Sequence, residues 1–328
     1  MGLFTTQENR IKCGRCGTEF DLNKNKDGCP LCGFGRHTFK ESVDIKPSKK
    51  KEEINELKEF VSIPPSINLR SGTIFVDEET KIWGSWLMFN DFFAPKFLAR
   101  VLAWKIKKEN LDYVPLLSLI EDSVKVIKKY GLTELKGFPN KIKEPDNLQK
   151  DNAVGRLVHH FLRTAVKMGF FEVRPLNSKV KDIWKEDWDK IEITLTKEGL
   201  EFAQLKNFIF DENKKEQILT PEERDWLLNY LKKIDRQGYR EYHVLKEVYN
   251  FLKKGHNGNE DLWNWFENNK AYRNYILQRS KRAQEDTKIF KKQIYNYART
   301  FASAKISLLR ELGLVKNKRN DYTIIGDM

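Results

Sequence analysis

Apolar residues recur at helical spacing in two long stretches of this chain, and each stretch runs directly into a pair of short alternating runs. From Asn152 to Met168 the residues Val154, Leu157, Val158, Phe161, Leu162 and Ala165 fall at steps of three and four and share one helix face. At about 100° per residue, Arg156, His160, Arg163 and Lys167 gather on the opposite face. Gly169 ends the helix, FFEVRP predicts a strand, and KIEITLT predicts its partner beyond an insertion at 176–189, after which KEGLEFAQL returns to helix. The second stretch, from about Asp286 to Leu312, carries a stripe of Ile294, Tyr297, Phe301, Ala304, Leu308 and Leu312. Lys288, Lys292, Tyr295, Arg299 and Arg310 cluster across the helix from that stripe, and small Ser303 and Ser307 also lie away from it. Gly313 stops this helix, and GLVKNKRNDYTIIGD predicts two short strands around the turn Lys318-Arg319-Asn320-Asp321.

Upstream the pattern is less regular. DIKPSKKKEEINELKEF is polar and lysine-rich, as in a linker or a short exposed helix. INLRSGTIFVDEETKIWGSW has two β-rich runs around Asp77-Glu78-Glu79 that predict a hairpin. An apolar and basic run then suits a helix to Lys108, and another helix spans Val114 to Tyr130 before Gly131. A long helical run from Leu262 to Ser280 precedes the last helix.

Helix, strand, insertion, strand, helix in the first block resembles a winged-helix domain, and the C-terminal block resembles it more cleanly. The resemblance implies that the helix before each hairpin enters the major groove and that the hairpin wing touches the DNA backbone or minor groove. Charge changes the picture here. Lys and Arg exceed Asp and Glu by 13 over the 328 residues, and the isoelectric point is near 9.3, which favours a polyanionic partner. Between Arg273 and Arg319 there are thirteen Lys or Arg against three Asp or Glu, so the surplus concentrates where the resemblance puts nucleic acid. Arg156, Arg163, Arg299 and Tyr295 are the expected groove contacts, and Lys316, Lys318 and Arg319 would serve the wing. The bland alternative is that these basic faces are solvated helix surfaces.

The only four cysteines are Cys13, Cys16, Cys29 and Cys32, two C-x-x-C pairs separated by twelve residues. Four thiolates at this spacing are the donor set of one structural, tetrahedral Zn2+. A thioredoxin-type redox pair would need one C-x-x-C after a strand of a larger α/β unit. In DLNKNKDG the glycine comes two positions late for a calcium loop and the closing Glu is missing. The module resembles the zinc ribbons of transcription and translation proteins.

Little in the chain suggests an enzyme. No Walker A loop, G-x-S-x-G elbow, H-E-x-x-H helix or dinucleotide fingerprint is present. Glu172-x-Arg174 and Glu192-x-Thr194 only sketch the convergent carboxylates of a metal-dependent nuclease. His159 and His160 suit a surface pair better than metal ligands, and Trp184, Trp188, Trp263, Trp265 and Phe266 suit core or capping roles better than base stacking. Met1-Gly2 with Thr6 formally fits myristoylation, but no second anchor signal follows. No apolar run approaches a membrane span and no signal-peptide pattern opens the chain, so a cytoplasmic, reduced protein is expected, associated with the nucleoid if it binds DNA.

The sequence therefore predicts a mainly α protein with small β hairpins: a zinc ribbon at 1–40, a linker at 41–64, a winged-helix-like domain with an insertion at 65–210, and a second at 211–328. The expected function is double-stranded DNA binding in transcription regulation. The alternatives are a protein-interaction or RNA- and ribosome-associated adaptor and, third, a metal-dependent nuclease. Homodimerisation stays open, because no heptad seam is present.

Overall fold

The computed structural model describes residues 10–12, 19–21, 58–83, 92–132, 138–139, 142–175, 187–211, 219–279, 284–318 and 321–328. The chain divides into two compact units, Met1–Glu53 and Ile54–Met328. In the first, strands β1 (Arg10–Lys12) and β2 (Glu19–Asp21) pair antiparallel with Lys12 opposite Glu19. The four cysteines of the expected zinc site lie outside the described residues.

The second unit is mainly helical, with two small antiparallel sheets. One chain order occurs twice in it. First come α2 (Phe93–Glu109), β3 (Val114–Pro115) and α3 (Leu116–Lys129), then a helix, α4, over 152–167, then β4 (Phe171–Pro175) and β5 (Ile191–Leu195). The sheet order is β3-β5-β4, with Val114 opposite Ile193 and Phe171 opposite Leu195. After α5 (Lys197–Gln204) and α6 (Pro221–Asp235), the order returns as α7 (Glu241–Lys253), a single bridge at Gly258, α8 (Asn259–Asn268), α9 (Lys270–Arg279), α10 (Thr287–Glu311), β6 (Val315–Lys318) and β7 (Asp321–Ile324). Gly258 bridges Asp321, and the Tyr322 amide donates to the Asn257 carbonyl, so this point takes the place that β3 holds in the first copy.

Local chemistry at the ends of α4 and α10 is the same. Asp151 Oδ1 accepts from the amides of Ala153 and Val154, and Asp286 Oδ1 from those of Lys288 and Ile289, so an aspartate N-cap starts each helix. Each stops on a left-handed glycine, Gly169 at φ 78° and Gly313 at φ 67°. Phe170 N donates to Ala165 O and Gly169 N to Val166 O; Leu314 N donates to Leu309 O and Gly313 N to Arg310 O. This is the Schellman stop, which turns the chain straight into the first hairpin strand.

Two expectations need correction. The stretch 64–77 forms no hairpin: it is a strap outside any strand, with Ile67, Leu69, Ile74 and Val76 packed on the core. The short helix α1 (Glu78–Trp83) begins where the hairpin turn was expected, because Asp77 and Thr80 exchange hydrogen bonds, Thr80 N to Asp77 Oδ1 and Asp77 N to Thr80 Oγ1. The run 262–280 is two helices, since Asn269 Oδ1 caps a new start by accepting from Ala271 N and Tyr272 N. Residues on both sides of 210/211 belong to the compact unit Ile54–Met328, and charged side chains link them. Lys96 and Arg100, one turn apart on α2, both reach the C-terminal carbonyls of α5, Lys96 Nζ that of Phe202 at 2.7 Å and Arg100 those of Ala203 and Leu205 at 3.0 and 2.9 Å. Arg100 also grips Asp211 with two bonds of 2.8 and 2.7 Å, and Lys96 pairs with Glu223 of α6 at 2.8 Å with both side chains wholly buried. A column of rings, Phe170, Phe202, Trp226 and Tyr230, continues the core across the same boundary.

Gly199, in the first turns of α5, lies against the strand start. A Cβ there would sit 2.1 Å from the Phe170 carbonyl oxygen and 2.8 Å from Leu195 Cδ1. Gly199→Ala is expected to destabilise the unit by about 1–3 kcal/mol. Gly155→Ala in α4, whose nearest neighbour would be His159 Cδ2 at 3.8 Å, is expected to stabilise it by about 0.5–1 kcal/mol. Urea midpoints of the two variants should move in opposite directions.

Candidate nucleic-acid interface

The outer face of α4 differs from a regular wheel, because the helix changes pitch inside it. Asn152–Arg156 and Arg163–Lys167 are α-helical, but Leu157–Leu162 is π-helical. The wider turn rotates the two histidines relative to their flanks. Arg156, His159 and Arg163 are exposed, while His160 is only half-exposed. The sequence-predicted row of Arg156, His160, Arg163 and Lys167 thus becomes Arg156, His159 and Arg163. Burial pulls the His160 imidazole below its ordinary pKa, and the charges of His159, Arg156 and Arg163 add to the effect. Arg156 and both histidines line a shallow depression of about 320 Å³ beside the aspartate cap.

Lys167 has another task. Its Nζ lies 2.7 Å from Asp77 Oδ2 and 3.7 Å from Glu79, tying α4 to the strap and α1. Burial alone would raise the Asp77 carboxyl, but the hydrogen bonds from Lys167 and Thr80 and the Lys167 charge outweigh it and hold the group below its usual value. Phe75 N donates to Lys167 O at 2.9 Å, a second tie at the same point. Lys167 is therefore a structural cation, not a member of an open face.

On α10, Lys288, Lys292 and Arg310 are exposed, as is Lys316 on β6. Lys318 is placed at the end of β6, and Arg319 lies outside the described residues. Arg299 stands apart. Its guanidinium carbon is 4.1 Å from the Trp263 ring centre and 4.0 Å from that of Tyr295, and its Nε is buried without an acceptor. Tyr295 is 43 % exposed, so one of the two rings faces solvent. Trp263, which the sequence suggested as a core or capping ring, supplies the other ring from α8. Lys305, counted above within the basic surplus, is buried and pairs with Glu241 at 2.6 Å, so it belongs to the core.

Two other features of the sequence also resolve into structure. Arg174 takes up the Glu192 carboxylate at 2.5 Å and stacks 3.9 Å from the Tyr113 ring, which occupies one of the two acidic groups of the nuclease sketch. Trp188 is wholly buried, and Trp184 lies outside the described residues. Among the described residues no three His, Cys, Asp or Glu side chains gather as a metal-holding group, and no helix is long and apolar enough to cross a membrane. Comparison of the chain with protein-family models, with characterised proteins and with solved structures finds no match.

Proposed function

We propose that this chain is a double-stranded DNA-binding regulator made of an N-terminal zinc ribbon and two winged-helix domains fused along a shared core. The observation that carries the reading is the repeated connectivity: helix, short pairing segment, helices, Schellman stop and hairpin, with the third pairing element on the same hairpin strand in both copies. That is the connectivity by which a winged helix presents its last helix to a groove and its hairpin to the backbone. Exposed Arg156 and Arg163 on α4, and Lys288, Lys292, Arg310 and Lys316 around α10, put cations where such a domain needs them. The antiparallel pairing of β1 and β2 supports the ribbon, in which Cys13, Cys16, Cys29 and Cys32 hold one Zn2+ as a structural ion.

Fluorescence anisotropy of a labelled random duplex, titrated at several salt concentrations, tests this. Salt-steep binding with a Kd on the order of 10⁻⁴–10⁻⁶ M near physiological salt is expected, poorly displaced by single-stranded RNA of equal length. Efficient displacement by RNA would favour an RNA- or ribosome-associated adaptor. Weak, salt-independent binding to both would favour a protein-interaction module.

A further inference from the structure

We propose that the two copies divide the work on DNA: α4 reads base edges through Arg156 and Arg163, and α10 grips the phosphate backbone through Arg299 held by Trp263 and Tyr295. The inference rests on the DNA-binding reading above and assigns roles within it. Counting back from the matched glycines, Leu162, Ala165 and Met168 of α4 correspond to Ile306, Leu309 and Leu312 of α10, all buried. In the same register His159 and Arg163 correspond to Ser303 and Ser307. One helix thus offers long multi-donor side chains where the other offers hydroxymethyl groups.

That difference decides which helix can discriminate between bases. Guanine is distinguished by two parallel donors reaching O6 and N7, which an exposed arginine supplies and a serine does not. Arg156 and Arg163 form no ion pair among the described residues, so both forks are available. Arg299 has the opposite character. Two aromatic ring centres about 4 Å from its guanidinium carbon restrict the group, and its Nε is buried while the residue as a whole stays partly exposed. A cation so restricted cannot swing to follow a base edge. It can hold one tetrahedral anion at a constant position without losing side-chain entropy on binding, and on a duplex that anion is a phosphate. Short serines beside it let the helix lie close to the backbone that Arg299 engages.

The test uses the full chain and a duplex selected for tight binding, with single-base variants of that duplex and a salt series for each protein. Arg299→Ala should weaken every duplex by the same factor, roughly 5- to 10-fold, and lower the salt slope by about one. Arg299→Lys should keep the slope and lose part of the affinity. Arg163→Ala, at an exposed position that does not threaten folding, should cut discrimination at one base pair by about 10-fold. A change of base preference in Arg299→Ala would overturn the assignment, and so would a uniform loss with unchanged preference in Arg163→Ala. If the unaltered protein binds no duplex in a salt-dependent way, the DNA-binding reading itself fails, which separates the two outcomes.

Discussion

Replacing Lys96 with methionine should cost the 54–328 unit about 3–5 kcal/mol, and the melting temperature should fall by on the order of 10 °C. Lys96 is completely buried on α2, 2.8 Å from the equally buried Glu223 of α6. Removing the ammonium leaves the Glu223 carboxylate in the core with only neutral donors, the Asn207 amide at 2.9 Å and the Thr220 backbone N–H at 2.8 Å. The Phe202 carbonyl at the end of α5 loses its side-chain donor in the same step and keeps only the Leu205 amide at 3.4 Å. Burial pulls the Lys96 amine down to about 8; Glu223 pulls the other way and Arg100 adds to the fall. At neutral pH it therefore still carries its charge, although the margin is narrow. The double variant Lys96→Met with Glu223→Gln should recover much of the loss, because the penalty lies in the unpaired charge more than in the missing bond. A single variant as stable as the parent would show that α2 and α6 do not depend on this pair.

Glu311→Gln should stabilise the protein, and the gain should grow with pH. Glu311 closes α10 and is buried beside the Phe92 and Phe93 amides at the start of α2. Burial raises its carboxyl to about 8; those amides oppose the rise and the charge of Glu223 adds to it. In the unfolded chain the group ionises near 4.5. The folded state thus holds this proton more tightly, so the stability it contributes is fully present below pH 4.5 and is lost as the pH rises to about 8. Glutamine has no proton to lose. Thermal melts of the two proteins should nearly coincide at pH 4.5 and separate steadily towards pH 8.5, with the glutamine variant the more stable. Lys96 is present in both, so its own titration largely cancels in the difference. Parallel melting curves across that range would mean that Glu311 is not buried as described.

The periodic helices and their stops were legible from the chain alone. Val154 through Ala165 and Ile294 through Leu312 are apolar at steps that only a helix brings to one face, and Gly169 and Gly313 stand where a left-handed residue is needed. The strands of both hairpins followed from short alternating runs, across an insertion in the first and around turn residues in the second. The strap at 64–77 defeated the same logic. Its alternation serves one-sided packing against helices, which has the same period of two as a strand but uses no sheet partner. The pairing elements at Val114–Pro115 and Gly258 were also illegible, since two residues or one carry no pattern; only the neighbouring hairpin strand makes them visible.

The candidate site divides along the same line. Which residues are cationic, and that they cluster on helices before hairpins, is a property of the sequence. Which of them remain available is not. Lys96, Arg100, Lys167 and Lys305 count as positive charge in any composition, yet each is taken up by a carboxylate from a distant segment: Glu223, Asp211, Asp77 and Glu241. The π-helical turn that exchanges His160 for His159 on the outer face depends on how α4 packs as a whole. The pair of rings beside Arg299 needs a tryptophan from α8. The sequence by itself determined the periodic helices before the two hairpins, the strands of those hairpins and the net positive charge, because these depend on local spacing and composition. The tertiary structure alone decided that two similar connectivities share one core, and which cations serve that core and which face outward, because ion pairing joins residues whose separation in the chain carries no local signal.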